Sequence, residues 1–148
     1  MKRALTEESS HLLRPVKLCL WMLLSLTLAS AKAEWTFLLE ASDGSAFIDL
    51  KTVKKTGDQV SVWFLREMKQ PTPSPMHSDR LYRSSKVQIE VDCKKQHYRV
   101  LYSAWHEGLK ASGKIVSELN NVQTGALKWQ SIPPEGSFIL PLVVYVCQ

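Results

Sequence analysis

Apolar and polar residues alternate without a fault from Lys86 to Cys93: Val87, Ile89, Val91 and Cys93 on one side, Lys86, Gln88, Glu90 and Asp92 on the other. A period of two marks a half-buried β-strand, so the Cys93 thiol shares a face with three aliphatic side chains. The K-K-Q segment at 94–96 predicts a turn, and His97–His106 its partner strand. Trp35–Glu40 places Trp35, Phe37 and Leu39 on one face and ends at the S-D-G-S turn of 42–45. A strand over 46–53 leads to a turn at 54–58, where Gly57 is available for positive φ. The densest β-branched and aromatic run is 60–68, whose Val62, Trp63, Phe64 and Leu65 are apolar on both faces. Cover on both sides is expected there.

The prolines of P-T-P-S-P at 71–75 cannot donate to a ladder, so 70–83 reads as an exposed loop. Shorter strands are expected at 113–119 and 127–132, separated by Asn120-Asn121 and Thr124-Gly125. The end of the chain leaves two readings open. Ser137 is a possible helix cap, and Pro141 fits a first helical turn, but L-V-V-Y-V at 142–146 has strand propensity, and propensity leans to strand. There is no internal repeat and no sign of a second domain.

The N-terminus changes how composition is read. Residues 1–17 are basic, 18–29 are almost wholly apolar, and Ala31-Lys32-Ala33 is a small-residue site. These are the three parts of a secretory signal peptide. A membrane anchor needs about 20 apolar residues, more than this run supplies. Cleavage is expected after Ala33, with Ala31 the next choice, and the long leader leaves a later methionine start open. Cys19 stands at the start of the apolar run, whereas a lipidated cysteine follows it. Residues 1–33 are thus expected to be the signal peptide and 34–148 a single mature domain.

Without the leader the charge falls from +5 to +2, because 14 Lys and Arg face 12 acids in 34–148. Much of the basic balance is therefore targeting signal, and nucleic acid is not expected as a partner. Cys93 and Cys147 are the two cysteines left in that stretch. An even count in an exported chain reads as a disulfide framework, here with a single pairing.

Several short motifs stand in a distinctive order: Trp35, A-F-I-D at 46–49, V-S-V-W at 60–63, V-D-C with Tyr98 and Arg99 beyond it, W-Q-S-I-P-P-E-G-S at 129–137 and the terminal Cys147. In that order and spacing the chain resembles the surface-adhesin protein E-like family. The resemblance implies a mainly β, α+β fold: a bent antiparallel sheet of about six strands, with a C-terminal helix over 137–147 on its concave face, held by a Cys93–Cys147 disulfide. It also implies a non-enzymatic surface protein of a Gram-negative-type bacterium that binds host matrix or serum glycoproteins. A periplasmic structural or stress-related domain with no host partner is the other reading. No motif selects a ligand, and fold alone does not fix function.

Catalytic chemistry is not expected. Asp92, Cys93 and His97 resemble a thiol site, but a disulfide-bonded sulfur has no thiolate to attack with. No G-x-S-x-G, glycine-paired phosphate loop or S-x-x-K is present. His77, His97 and His106 lack the spacing of metal ligands, and in a regular strand His97 and His106 fall on opposite faces. No metal, cofactor or catalytic residue is assigned.

The candidate protein-binding residues are Lys94, Lys95, His97 and Arg99, a cationic cluster suited to acidic segments or sulphated glycans. The same residues also fit an ordinary solvated turn. Leu101 and Trp105 would share the face of Arg99 in a regular strand. The 71–83 loop is a second candidate, and open sheet edges invite a homodimer.

Overall fold

A computed structural model describes residues 33–133 and 137–148. The signal-peptide reading of 1–33 lies, apart from Ala33, outside the described residues. Six antiparallel strands follow one another in chain order, β1 (Trp35–Glu40), β2 (Gly44–Thr56), β3 (Gln59–Pro73), β4 (Leu81–Asp92), β5 (His97–His106) and β6 (Ile115–Asn120). A one-turn helix α1 (Asn121–Thr124), a two-residue strand β7 (Gln130–Ser131) and a helix α2 (Ile139–Val146) complete the domain. β7 pairs with β5 at His97 and Tyr98, along the stretch of that edge which β6 leaves open. No described helix is long and apolar enough to cross a membrane.

Local chemistry sets most of the hairpins. Gly57 has φ +59° in the two-residue turn between β2 and β3, a conformation that side chains disfavour. Gly44 opens β2 where a Cβ would stand 2.0 Å from Glu67 O, so the close approach of β2 to β3 requires glycine.

One face of the sheet carries the core. Ile48, Val60, Val62, Phe64, Ile89 and Val91 pack with Leu142, Val143 and Val146 of α2, and Val87 and Cys93 lie against the same cluster. The alternation of β4 is therefore observed as expected. Cys93 and Cys147, 54 positions apart in sequence, form a disulfide with Cα atoms 5.6 Å apart. Closing a loop of that length stabilises by about 4 kcal/mol in the chain-entropy argument.

The C-terminal segment is helix, against its strand propensity. Leu142, Val143 and Val146 form one buried stripe, and burying that stripe outweighs the local preference of valine. Pro141 sits in the first turn, where a backbone N–H has no intrahelical acceptor. Ser137 Oγ accepts from the Leu140 N–H at a long 3.5 Å.

Two further expectations are corrected. Residues 70–73 and 81–83 are strand, with Thr72 paired to Tyr82 and Pro73 to Leu81. β2 has ended at Gly44, opposite Met68, so this part of β3 is an edge on one side, where proline is tolerated. The turn beyond it is pinned to β6: Ser74 Oγ lies 2.6 Å from Ser117 Oγ, and Arg80 donates to Val116 O at 3.0 Å. The strand expected at 127–132 shrinks to Gln130–Ser131, which pair with Tyr98 and His97 of β5.

Candidate binding face

The face opposite the core is built by register. Asp92 pairs with His97 and Glu90 with Arg99, so the hairpin tip carries the expected cationic residues. Its turn is tightly held. Asp92, 7% exposed, accepts the Lys95 N–H at 2.9 Å, and Cys93 N–H donates to Asp58 O at 2.9 Å. Gln96, with φ +54°, donates its side-chain amide to Cys93 O at 2.7 Å. His97 Nδ1 lies 2.6 Å from Lys95 O, which makes it a donor to that carbonyl. Lys94 and Lys95 both extend into solvent from this turn. Lys95 Nζ approaches Asp92 Oδ2 at 3.9 Å, a loose and exposed pair.

Arg99 is not part of a free cationic cluster. Its Nε donates to Glu90 Oε2 at 2.6 Å, a second ion-pair contact runs from its Nη2 to the same oxygen, and its guanidinium stacks over Trp129 at 4.5 Å. The structure thus separates the four predicted residues: two solvated ammoniums and a half-buried imidazole at the tip, and one guanidinium committed to neighbours. Gln59, Asp92, Lys95, His97 and Trp129 border a small hollow of about 230 Å3. Neither partner was legible: a K-K-Q turn would face Cys93 with His97 and put Val91 opposite Arg99, whereas the turn takes four residues, 93–96, which brings Glu90 there; Trp129 arrives through β7 and left no local signal.

A bulge in β5 decides what lies next to Arg99. Gln88 pairs with Tyr102 but Ile89 with Val100, so Leu101 is the extra residue. Tyr98 and Val100 face the core before it, and Trp105 turns to that side after it. Tyr102, rather than Leu101 or Trp105, therefore continues the Arg99 face. The same bulge brings His97 and His106 to one side, correcting the expectation for a regular strand. Tyr102 meets Trp63 edge to face at 5.7 Å and donates its hydroxyl to Glu118 at 2.7 Å. Burial, followed by that bond and the Glu118 charge, pushes its pKa up to about 12, which keeps it a donor.

Leu65, on this outer side, is fully buried. The 107–114 loop folds beside it, with Ser84 Oγ donating to Gly108 O at 2.5 Å and Lys110 N–H donating to Glu67 at 2.8 Å. Cover on both sides is thus present at Leu65, whereas Trp63, on the same outer side, stays half-buried. On the core side a larger cavity of about 610 Å3 lies between Arg66, Tyr82, Trp105 and Phe138, where the Arg66 guanidinium pairs with Asp43 and stacks on Phe138 at 4.2 Å. Among the described residues no three His, Cys, Asp or Glu side chains are grouped to hold a metal ion.

The profile of the surface-adhesin protein E family matches residues 35–148. Solved structures of protein E from Haemophilus influenzae share the fold. One crystal form has a TM-score of 0.55 at 11% identity, covering 76% of this chain and 86% of that one. A selenomethionine form scores 0.51 at 12% identity, covering 75% and 84%. Protein E from a non-typeable strain scores 0.52 at 10% identity, covering 75% and 74%. Among curated protein sequences none is detectably similar.

Proposed function

The chain belongs to the surface-adhesin protein E family, and on that premise we propose that it is an exported, non-enzymatic surface protein of a Gram-negative-type bacterium that binds host extracellular-matrix or serum glycoproteins. Residues 1–33 act as the signal peptide in this reading, and α2 lies on the concave side of a bent sheet. The observation that carries the binding role is the hairpin tip. Lys94 and Lys95 are presented to solvent from a turn held by side-chain and backbone hydrogen bonds. A pair of ammoniums projecting from a fixed backbone turn steers an acidic partner. His97 and Arg99 border the tip, Arg99 as a positioning group through Glu90 and Trp129. Two copies pair through the β1 edge, where Phe37 is 58% exposed.

Protease shaving of intact, natively expressing cells, with a periplasmic marker as control, tests the location. Digestion while the marker survives places the chain outside. Protection until the outer membrane is opened makes it a periplasmic domain and removes the adhesive role. Binding of the purified protein to an immobilised matrix preparation then tests the tip: Lys94→Glu with Lys95→Glu abolishes a salt-sensitive interaction if the proposal holds.

A further inference from the structure

One row of directly opposed residues crosses four strands on the outer face. Trp63 of β3 pairs with Gln88 of β4, Gln88 with Tyr102 of β5, and Tyr102 with Asn120 at the end of β6. With Val122 and Gln123 of α1 they line an open hollow of about 460 Å3. We propose that this hollow is a binding site for a neutral pyranose unit of a glycan, separate from the cationic tip and independent of the adhesive reading.

The chemistry of the lining carries the assignment. A pyranose has apolar C–H faces and a rim of hydroxyls that each donate and accept. It therefore asks for an aromatic surface flanked by groups able to do both. Trp63 and Tyr102 supply the surface, held edge to face at 5.7 Å. Carboxamides supply the rest, since each has a carbonyl acceptor and two N–H donors. Among the described residues the side chains of Gln88 and Gln123 have no hydrogen-bond partner, while Asn120 Oδ1 accepts from the Gln123 N–H at 3.1 Å and leaves its amide N–H groups free. Lys86 Nζ, 4.6 Å from the Trp63 ring centre, adds a donor, and Glu118 on the Tyr102 hydroxyl offsets its charge. That balance favours a neutral sugar over a sulphated or carboxylated one.

The scaffold is held in place before any ligand arrives. Trp63 N–H donates to Thr52 Oγ1 at 3.0 Å, fixing the strand under the indole. Asn121 Nδ2 donates to Val100 O at 2.9 Å and so ties α1 to β5. At Gln88 and Tyr102 the row lies inside the sheet, where strands on both sides already use the backbone groups of β4 and β5, and only Asn120 stands on the edge strand β6. An incoming peptide cannot add as a strand between β4 and β5, so recognition over the aromatic pair rests on side chains.

Saturation-transfer NMR on the full-length, oxidised mature protein tests the proposal with the methyl glycosides of glucose, galactose, mannose and N-acetylglucosamine as probes. Saturable transfer from at least one is expected. Trp63→Ala should weaken it by about tenfold, the loss of one aromatic contact. Gln123→Ala, on an exposed helix position, weakens it without disturbing the fold and guards against a misfolded Trp63 variant. Lys94→Glu with Lys95→Glu leaves it unchanged, so failure of the tip reading is distinguishable. No transfer from any of the four overturns the proposal. So does binding that survives both Trp63→Ala and Gln123→Ala, or binding that is lost with Lys94→Glu and Lys95→Glu.

Discussion

The two faces of this sheet are made of the same strands and differ in what they are committed to. The core face is apolar, covered by α2 and closed by the Cys93–Cys147 disulfide. The outer face holds its order through pairs between side chains: Arg99 with Glu90 and Trp129, Tyr102 with Trp63 and Glu118. Burial on one side supplies rigidity, which frees the other side to keep solvent-facing aromatics, amides and ammoniums. Recognition can then change without repacking the core, which suits the contact role proposed for this domain.

The sharpest way to break that division is to cut the disulfide. Cys93→Ser with Cys147→Ser should cost up to about 4 kcal/mol in urea unfolding, and the unmodified mature protein should show no free thiol in a denaturing thiol assay. Next comes Leu142→Ala, which empties a fully buried position under α2 and should cost about 2–5 kcal/mol. Both changes act on the core side and should leave the tip chemistry in place in whatever fraction stays folded.

On the outer side the effects should be smaller. Glu90→Gln removes the acid from a half-buried ion pair and should cost about 1 kcal/mol in the same assay. His106 gives a pH test. It is 9% exposed with Nδ1 unpartnered, and burial, then the Lys86 charge, lowers its pKa from 6.5, against an opposing bond with the Gly113 backbone. The unfolded chain then takes up a proton more readily than the folded one. Its contribution is intact above pH 6.5 and is lost as pH falls below that value toward the folded pKa. Urea midpoints at pH 7.5 and 5.5 should drop more for the native chain than for His106→Gln. Smallest of all, Lys94→Glu with Lys95→Glu should shift stability by no more than about 0.5 kcal/mol while changing binding. A large loss of stability there would end the separation of the two faces.

Strands whose partners are near in sequence were readable. Trp35–Glu40 and His97–His106 have the expected limits, and Val87, Ile89 and Val91 face the core. Gly57 takes the positive φ its turn needed. The tip residues were readable as a cluster of positive charge, but their grouping was not, because Trp129 reaches Arg99 only after β7 folds back onto β5. The hollow beside it was invisible for a similar reason: the bulge at Leu101 sets which half of β5 faces outward, and an alternating pattern carries no mark of where a partner strand skips a residue.

The sequence by itself determined the β-class of the domain, the hairpin at Lys94–Lys95 and the inward thiol of Cys93, since alternation and turn chemistry act over a few residues. It also held the ordered motifs by which the family could be recognised. Only the tertiary structure decided that β3 runs through its prolines and that Trp63, Gln88, Tyr102 and Asn120 form one row, and it shows as helix the 139–146 segment that local propensity leaned to strand and the family resemblance gave as helix. Those outcomes depend on what lies across the sheet, where burial of a valine stripe or an unpaired edge outweighs the preferences of the local chain.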